Sequence, residues 1–390
     1  MSLRLPLATS TWDEAEHAAI QRVIRSDQFS MGQEVAQFER DFARHFGASH
    51  ALMVNSGSSA NLLMVAALFY TKDPVRRLKR GDEVIVPAVS WSTTYYPLYQ
   101  YGLKLKFVDI DLETLNLDLN QLSDAITDRT RLIFAVNLLG NPNDFSRMSA
   151  IVGDRPITII EDNCESMGAR FGGRNAGTIG LMGSFSTFFS HHIATMEGGV
   201  VVTDDEELYH ILLSLRAHGW TRNLPVDNHV TGRKSSDPFE ESFNFVLPGY
   251  NVRPLEMEGA IGQEQLKKLD GFIAARRQNA ARWIERLGGS NRFIVQRETG
   301  ESSWFGFSLI CRPNSDISRA ELRRLLESNG VDTRPIVAGN FARNPVVSYF
   351  DHEIFGELSN ADYLDRNGLF IGNHHLPITD AIDALADILS

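Results

Sequence analysis

Short apolar runs alternate along the chain with longer stretches in which apolar residues recur at helical spacing. ALMV (51–54), EVIVPAV (83–89), LKLKFVDID (103–111), RLIFAVNLLG (131–140) and PITIIEDNCES (156–166) read as strands buried on both faces. Between them, helices are expected at 10–28, from about Gln33 to Phe46, after the Ser/Gly turn at 56–58, near Asn120–Ile126, near Asp144–Val152 and from Asp204 to His218. Ser10 or Thr11 is the expected cap of the first, with Ile20, Val23 and Ile24 as its apolar stripe, and Gly47 stops the second.

Strands alternating with helices imply an α/β fold, a mostly parallel mixed sheet covered by helices on both sides. A long helical pattern runs from Leu255 to about Leu287 and stops at Gly288–Gly289. After it come strand FIVQR, strand SWFGFSLIC, helix SRAELRRLLESNG, strand VDTRPIV and a terminal helix from Asp380, a smaller α+β unit. The expected division is 1–254, the N-terminal helices and large α/β domain, and 255–390, the connecting helix and small domain, with the N-terminal helix packing on the latter.

Composition narrows the function. A formal net charge of −11 argues against a nucleic-acid binder, though local arginines can still hold an anionic substrate. Cys164 and Cys311 are too few for an iron–sulfur cluster or a disulfide framework, so a reduced, cytoplasmic setting is expected. The N-terminus turns acidic and reads as no signal peptide, and no stretch approaches the roughly 18 apolar residues of a membrane span.

In open α/β sheets ligands sit beyond the carboxyl ends of the strands. Trp91, Asn137, Asp162 and the turn Ser56–Ser58 all fall at such ends. A strand, a small-residue turn and a helix N-terminus together make an anion site, or simply a connection. Asp162 either caps the next turn or faces a cation in the pocket. Adjacent histidines, His191 and His192, rarely aim both rings at one ion, and no acid or cysteine stands nearby at a zinc-like spacing, so no metal is expected. His374 and His375 read as surface or pocket rim. The polar stretch 220–250 is long for a compact domain, which marks it as functional or interfacial.

Eight motifs in register, spanning nearly the whole chain, resemble the sugar aminotransferase family of fold-type I pyridoxal-phosphate enzymes. They are NSGSSAN (55–61), VPAVSWSTT (86–94), DIDLETLN (109–116), NLLGNP (137–142), EDNCESMGA (161–169), SFSTFFSHHIATMEGG (184–199), RAHGW (216–220) and GYNVRP (249–254). The resemblance implies that Gly57 and Ser58 hold the cofactor phosphate, Trp91 stacks on the ring and Asp162 pairs with the ring nitrogen. It also implies that Glu165 shapes the site, Ser186 touches the phosphate or phenolic oxygen, and Asn251 reaches the phosphate in a neighbouring subunit, making a homodimer with shared active sites. Arg253 is the candidate for the carboxylate of L-glutamate. His218, Trp220 and Arg222 are placed toward the sugar nucleotide, with Phe243 and Trp304 as walls.

One departure sets the chemistry. The family pattern Lys-x-Ile-Thr-Thr-x-Glu-Gly-Gly reads here His191-His192-Ile193-Ala194-Thr195-Met196-Glu197-Gly198-Gly199. Lysine moves protons and also bonds covalently to the cofactor; imidazole does only the first. Within the family, this exchange marks the sugar 3-dehydratases. The implied enzyme uses untethered pyridoxal or pyridoxamine phosphate and glutamate to remove the C3 hydroxyl of a GDP-linked 4-keto-6-deoxymannose, releasing ammonia, with GDP resting on the resemblance alone. The alternative is a nucleotide-sugar 4-aminotransferase with an unusual base.

Overall fold

The computed structural model describes residues 4–389. Its central sheet has eight strands, in spatial order His50–Val54, Gly199–Thr203, Met182–Ser186, Thr158–Asp162, Thr130–Val136, Glu83–Pro87, Lys104–Val108 and His352–Ile354. Gly199–Thr203 runs antiparallel to both its neighbours; the other pairings are parallel. The fold is thus the α/β architecture expected from the alternating pattern. Most of these strands are buried along their length, which explains their near-continuous apolar sequence.

Local chemistry starts the helices on time. Asp118, Asp144 and Asp205 each accept a hydrogen bond from a first-turn amide of the helix that follows. The first helix, Glu14–Ser26, departs from expectation: Asp13 caps it in a reciprocal box with Glu16, not Ser10 or Thr11. The Thr11 hydroxyl is engaged instead with Gln265, 254 positions away in sequence. This helix packs through Ala19 and Val23 on Ala260 of the long helix Glu256–Leu287; the extended residues before it are what reach the smaller unit. The second helix, Gln33–Phe46, crosses the long helix so closely that a Cβ on Gly259 would lie 2.6 Å from Val35 Cα.

The smaller unit is a four-stranded antiparallel sheet in the order Phe293–Ile294, Gly306–Cys311, Gly368–Gly372, Thr333–Arg334. Its core is stacked on the long helix by Trp283 against Phe307, with ring centroids 4.6 Å apart. The pattern reading missed the strand Gly368–Gly372, which is short and glycine-bounded, and the helix Ser359–Asn367 before it. Two segments cross the 254/255 division. His352–Ile354 extends the large sheet beside Lys104–Val108, and Leu5 bridges to Val331 in the smaller unit. Among the described residues, no helix is long and apolar enough to cross a membrane.

Candidate active site

Four parallel strands end on one cavity of about 520 Å³. Pro87 leads to Trp91, Val136 to Asn137, and the strands ending at Asp162 and Ser186 place those residues directly on the wall. The helix Gly57–Tyr70 points its first turn, Ser56, Gly57 and Ser58, into the same space. First-turn amides have no partner inside a helix, so this end is an anion cradle. Gly57 is required there: a Cβ would lie 2.8 Å from Ser186 Cβ and 2.9 Å from Cys164 Sγ.

Asp162 is 6% exposed. Its Oδ2 accepts from Asn61 Nδ2 at 2.8 Å and Thr94 Oγ1 at 2.7 Å, and its Oδ1 accepts from the Cys164 amide at 3.2 Å. All three donors are neutral, and no lysine, arginine or histidine among the described residues forms an ion pair with it. A buried carboxylate so arranged is suited to a cationic partner arriving in the cavity. The Trp91 indole, 58% exposed, lines the same space. An anion cradle, an aromatic face and a carboxylate held for a cation match the phosphate, ring and protonated nitrogen of pyridoxal phosphate. Among the described residues, no lysine lines the cavity.

His191 occupies the middle of the loop between Ser186 and Gly199 and faces the cavity. Its amide donates to the Phe188 carbonyl at 2.9 Å, its ring lies 5.2 Å from that of Phe305, and its buried Nδ1 has no hydrogen-bond partner. Burial, with the nearby Arg334 and Arg276 guanidinium groups, pushes its pKa down to about 3, so the ring is neutral at physiological pH. His192 turns away. It is fully buried, its Nε2 lies 3.3 Å from the Ser303 carbonyl, and it does not line the cavity. Glu165 lines the wall with its carboxyl pKa raised by burial, against the opposing pull of Arg334.

The structure therefore brings Gly57, Ser58, Trp91, Asp162, Glu165, Ser186 and His191 together. It does not bring Asn251, Arg253, His218, Arg222 or Phe243 to that cavity within one chain. These form a surface group of their own: Arg253 Nε donates to Asn251 Oδ1 at 2.9 Å, and the Arg222 guanidinium lies 4.7 Å over the Trp220 ring. Phe243 is 68% exposed there. Trp304 is no wall; its side chain is buried in the smaller unit, and the neighbouring Phe305 lines the cavity. His374 is buried, with Nδ1 3.1 Å from Thr9 Oγ1, rather than at the surface.

Sequence reading missed Asn61, Thr94, Glu197 and Arg334. The first three lie inside motifs quoted above; Arg334 lies on the expected strand VDTRPIV, observed as Thr333–Arg334 in the smaller unit, and nothing in that stretch points it to the cavity. Its guanidinium is 4.4 Å over the Phe370 ring, its buried Nε lacks a partner, and no ion pair holds it among the described residues. Backbone strain clusters around the same space. Leu139, Met196, Trp304 and Val337 all have positive φ, costly above all for β-branched Val337 at 48°.

Comparisons with known proteins agree with this geometry. The profile of the DegT/DnrJ/EryC1/StrS aminotransferase family matches residues 10–390. The chain is 62% identical to a GDP-4-keto-6-deoxy-D-mannose 3-dehydratase of Yersinia pseudotuberculosis over 388 residues, covering 99% of this chain and 98% of that one. It superposes with a TM-score of 0.98 on the E. coli GDP-4-keto-6-deoxy-D-mannose-3-dehydratase with bound hydrated PLP, at 60% identity and full coverage of both chains. A structure of GDP-4-keto-6-deoxymannose-3-dehydratase with a trapped PLP-glutamate geminal diamine matches with a TM-score of 0.97 and 60% identity, covering 99% of this chain and 100% of that one.

Proposed function

The chain belongs to the DegT/DnrJ/EryC1/StrS aminotransferase family, and on that footing we propose that it is a glutamate-dependent 3-dehydratase of GDP-4-keto-6-deoxy-D-mannose. It forms the 4-keto-3,6-dideoxy sugar with release of ammonia, a step toward the colitose of O-antigen. The observation that carries this reading is the neutral, cavity-facing His191 in a pocket that holds an anion cradle, an aromatic face and a buried carboxylate, with no lysine among the described residues lining it. Pyridoxal phosphate, when bound, supplies an electron sink and an amine borrowed from glutamate.

The chain's own residues do the rest. Ser56–Ser58 amides hold the phosphate, Trp91 covers the ring, Ser186 stands at its edge, and Asp162 keeps the ring nitrogen protonated, so that the cofactor stays in place without a covalent link. Neutral His191 accepts a proton and returns it to the departing C3 oxygen, and its imidazole cannot capture the cofactor as a lysine amine would. Arg334, an unpaired guanidinium at the cavity wall, is better placed than Arg253 for a glutamate carboxylate. Phe188 and Phe305 exclude water on one side. The surface group Asn251, Arg253, His218, Arg222 and Phe243 completes the site of a second copy in a homodimer, as its exposed aromatic rings suit. No iron–sulfur cluster takes part: Cys164 lines the cavity, while Cys311 is buried in the smaller unit.

The test is product analysis with ¹⁵N-glutamate and GDP-4-keto-6-deoxymannose. A sugar without nitrogen and without its C3 hydroxyl, beside labelled ammonia, is expected. Label retained in the sugar would make the protein an aminotransferase and sink the reading.

A further inference from the structure

A lysine reaches its target on a four-carbon arm and then holds it by a bond. Imidazole has two torsions and no bond, so the placement of the His191 backbone passes directly to its ring. The loop that carries His191 is cinched at its base. Thr195 N–H donates to the Thr187 carbonyl at 2.8 Å, and the two threonine hydroxyls lie 2.6 Å apart. Between those points the free backbone of Ala194 is gripped from outside on both its polar groups. Its N–H donates to Gln265 Oε1 at 3.0 Å, and its carbonyl accepts from Trp12 Nε1 at 2.8 Å.

Both gripping groups are themselves fixed. Gln265 is fully buried and makes four hydrogen bonds. Besides Ala194, its Oε1 accepts from Thr11 Oγ1 at 2.6 Å, and its Nε2 donates to the Thr11 carbonyl at 3.1 Å and Glu16 Oε1 at 2.8 Å. Glu16 is held in turn by Lys268 Nζ at 2.7 and 2.8 Å and by the Asp13 amide at 2.8 Å. Trp12 follows an extended strap that is anchored on the smaller unit, where the Leu5 amide donates to the Gly330 carbonyl and the Asp332 amide to the Leu5 carbonyl, both at 2.9 Å.

We infer that Trp12 and Gln265 are positioning residues for His191: the strap before the first helix and the long helix together fix the proton-transferring imidazole through the two peptide groups that flank Ala194. This replaces the rigidity a covalent link would bring, and it rests on the proton role of His191 proposed above. Neither residue touches the cavity, so the effect is confined to where the base sits.

The experiment compares Trp12→Phe, which keeps an aromatic ring at the position and removes the indole N–H, with Gln265→Met and their combination. In cofactor-free protein, amide exchange over residues 190–195 is expected to quicken. In the loaded enzyme, dehydration kcat is expected to fall roughly ten-fold or more, while KM for the nucleotide sugar and Kd for the cofactor stay within about two-fold. Because both variants release the backbone of the same residue, one on each side of its Cα, the combination should add little to either alone. Unchanged amide exchange, or quickened exchange with kcat intact, overturns the inference, as does a parallel decline of kcat, KM, cofactor affinity and melting temperature in Trp12→Phe. His191→Asn separates the two levels: if it turns over normally the proton role itself is wrong, whereas if it is inactive and Trp12→Phe is normal, the positioning inference alone has failed.

Discussion

The cavity at the strand ends and the surface group around Trp220 and Arg253 contain similar residue types in opposite physical states. In the cavity, polar groups from distant parts of the chain converge: Asp162 is held by Asn61 and Thr94, 101 and 68 positions away. On the surface, Arg253 bonds Asn251 two residues away and lies 3.4 Å from His218 Nε2, and the rings of Phe243 and Phe245 remain open to water. The first region is preorganised by one chain before any ligand arrives. The second has affinity to offer and nothing within the chain to receive it. Under the homodimer proposed above, the surface group would supply the remainder of a second copy's site.

Four measurements probe that contrast. The largest effect is expected at the base. His191→Asn should lower dehydration by about 10²–10⁴-fold while leaving cofactor binding, read by absorbance, nearly unchanged. Next, Asp162→Ala should weaken the cofactor by about 2–5 kcal/mol, since a buried charge partner is removed, and equilibrium dialysis reads this directly. Equal binding by that variant would undo the assignment of Asp162 to the ring nitrogen.

The surface group is tested by subunit mixing. Homodimers of Asn251→Ala and of His191→Asn should each be impaired, and refolding them together should restore roughly a quarter of native activity, because random pairing rebuilds one intact site in half the dimers. No recovery would mean that the two residues serve the same chain's site. The smallest effect concerns pH. His191 is held near 3, below its ordinary value of 6.5, so the folded state favours the neutral ring. Its contribution to stability is present above about 6.5 and is lost as pH falls toward 3. His191→Phe should therefore lose less stability than the native protein between pH 7 and pH 4, as followed by urea unfolding. A steeper loss in the variant would contradict the buried neutral imidazole.

The chain's own pattern carries the α/β class, the start of most helices and the strand ends on which Trp91, Asn137 and Asp162 sit. These features follow from periodicity and from short-range capping, which need only neighbouring residues. The replacement of lysine by His191 is equally legible, because it stands in a motif whose other fixed positions, Ala194 aside, are kept. Other features depended on contacts between distant segments. Thr11 looked like a cap but bonds to Gln265, because a buried amide competes successfully for its hydroxyl. His191 and His192 are indistinguishable as letters, yet the bend of one loop sends the first to the cavity and the second to the interior. Arg334 reaches the site from a strand whose existence, but not whose destination, the sequence shows, and His352–Ile354 joins the far edge of the large sheet with no periodic signal. Local chemistry chooses elements and their ends; which distant side chains meet is set by how those elements pack, and packing leaves no mark on any single stretch of sequence.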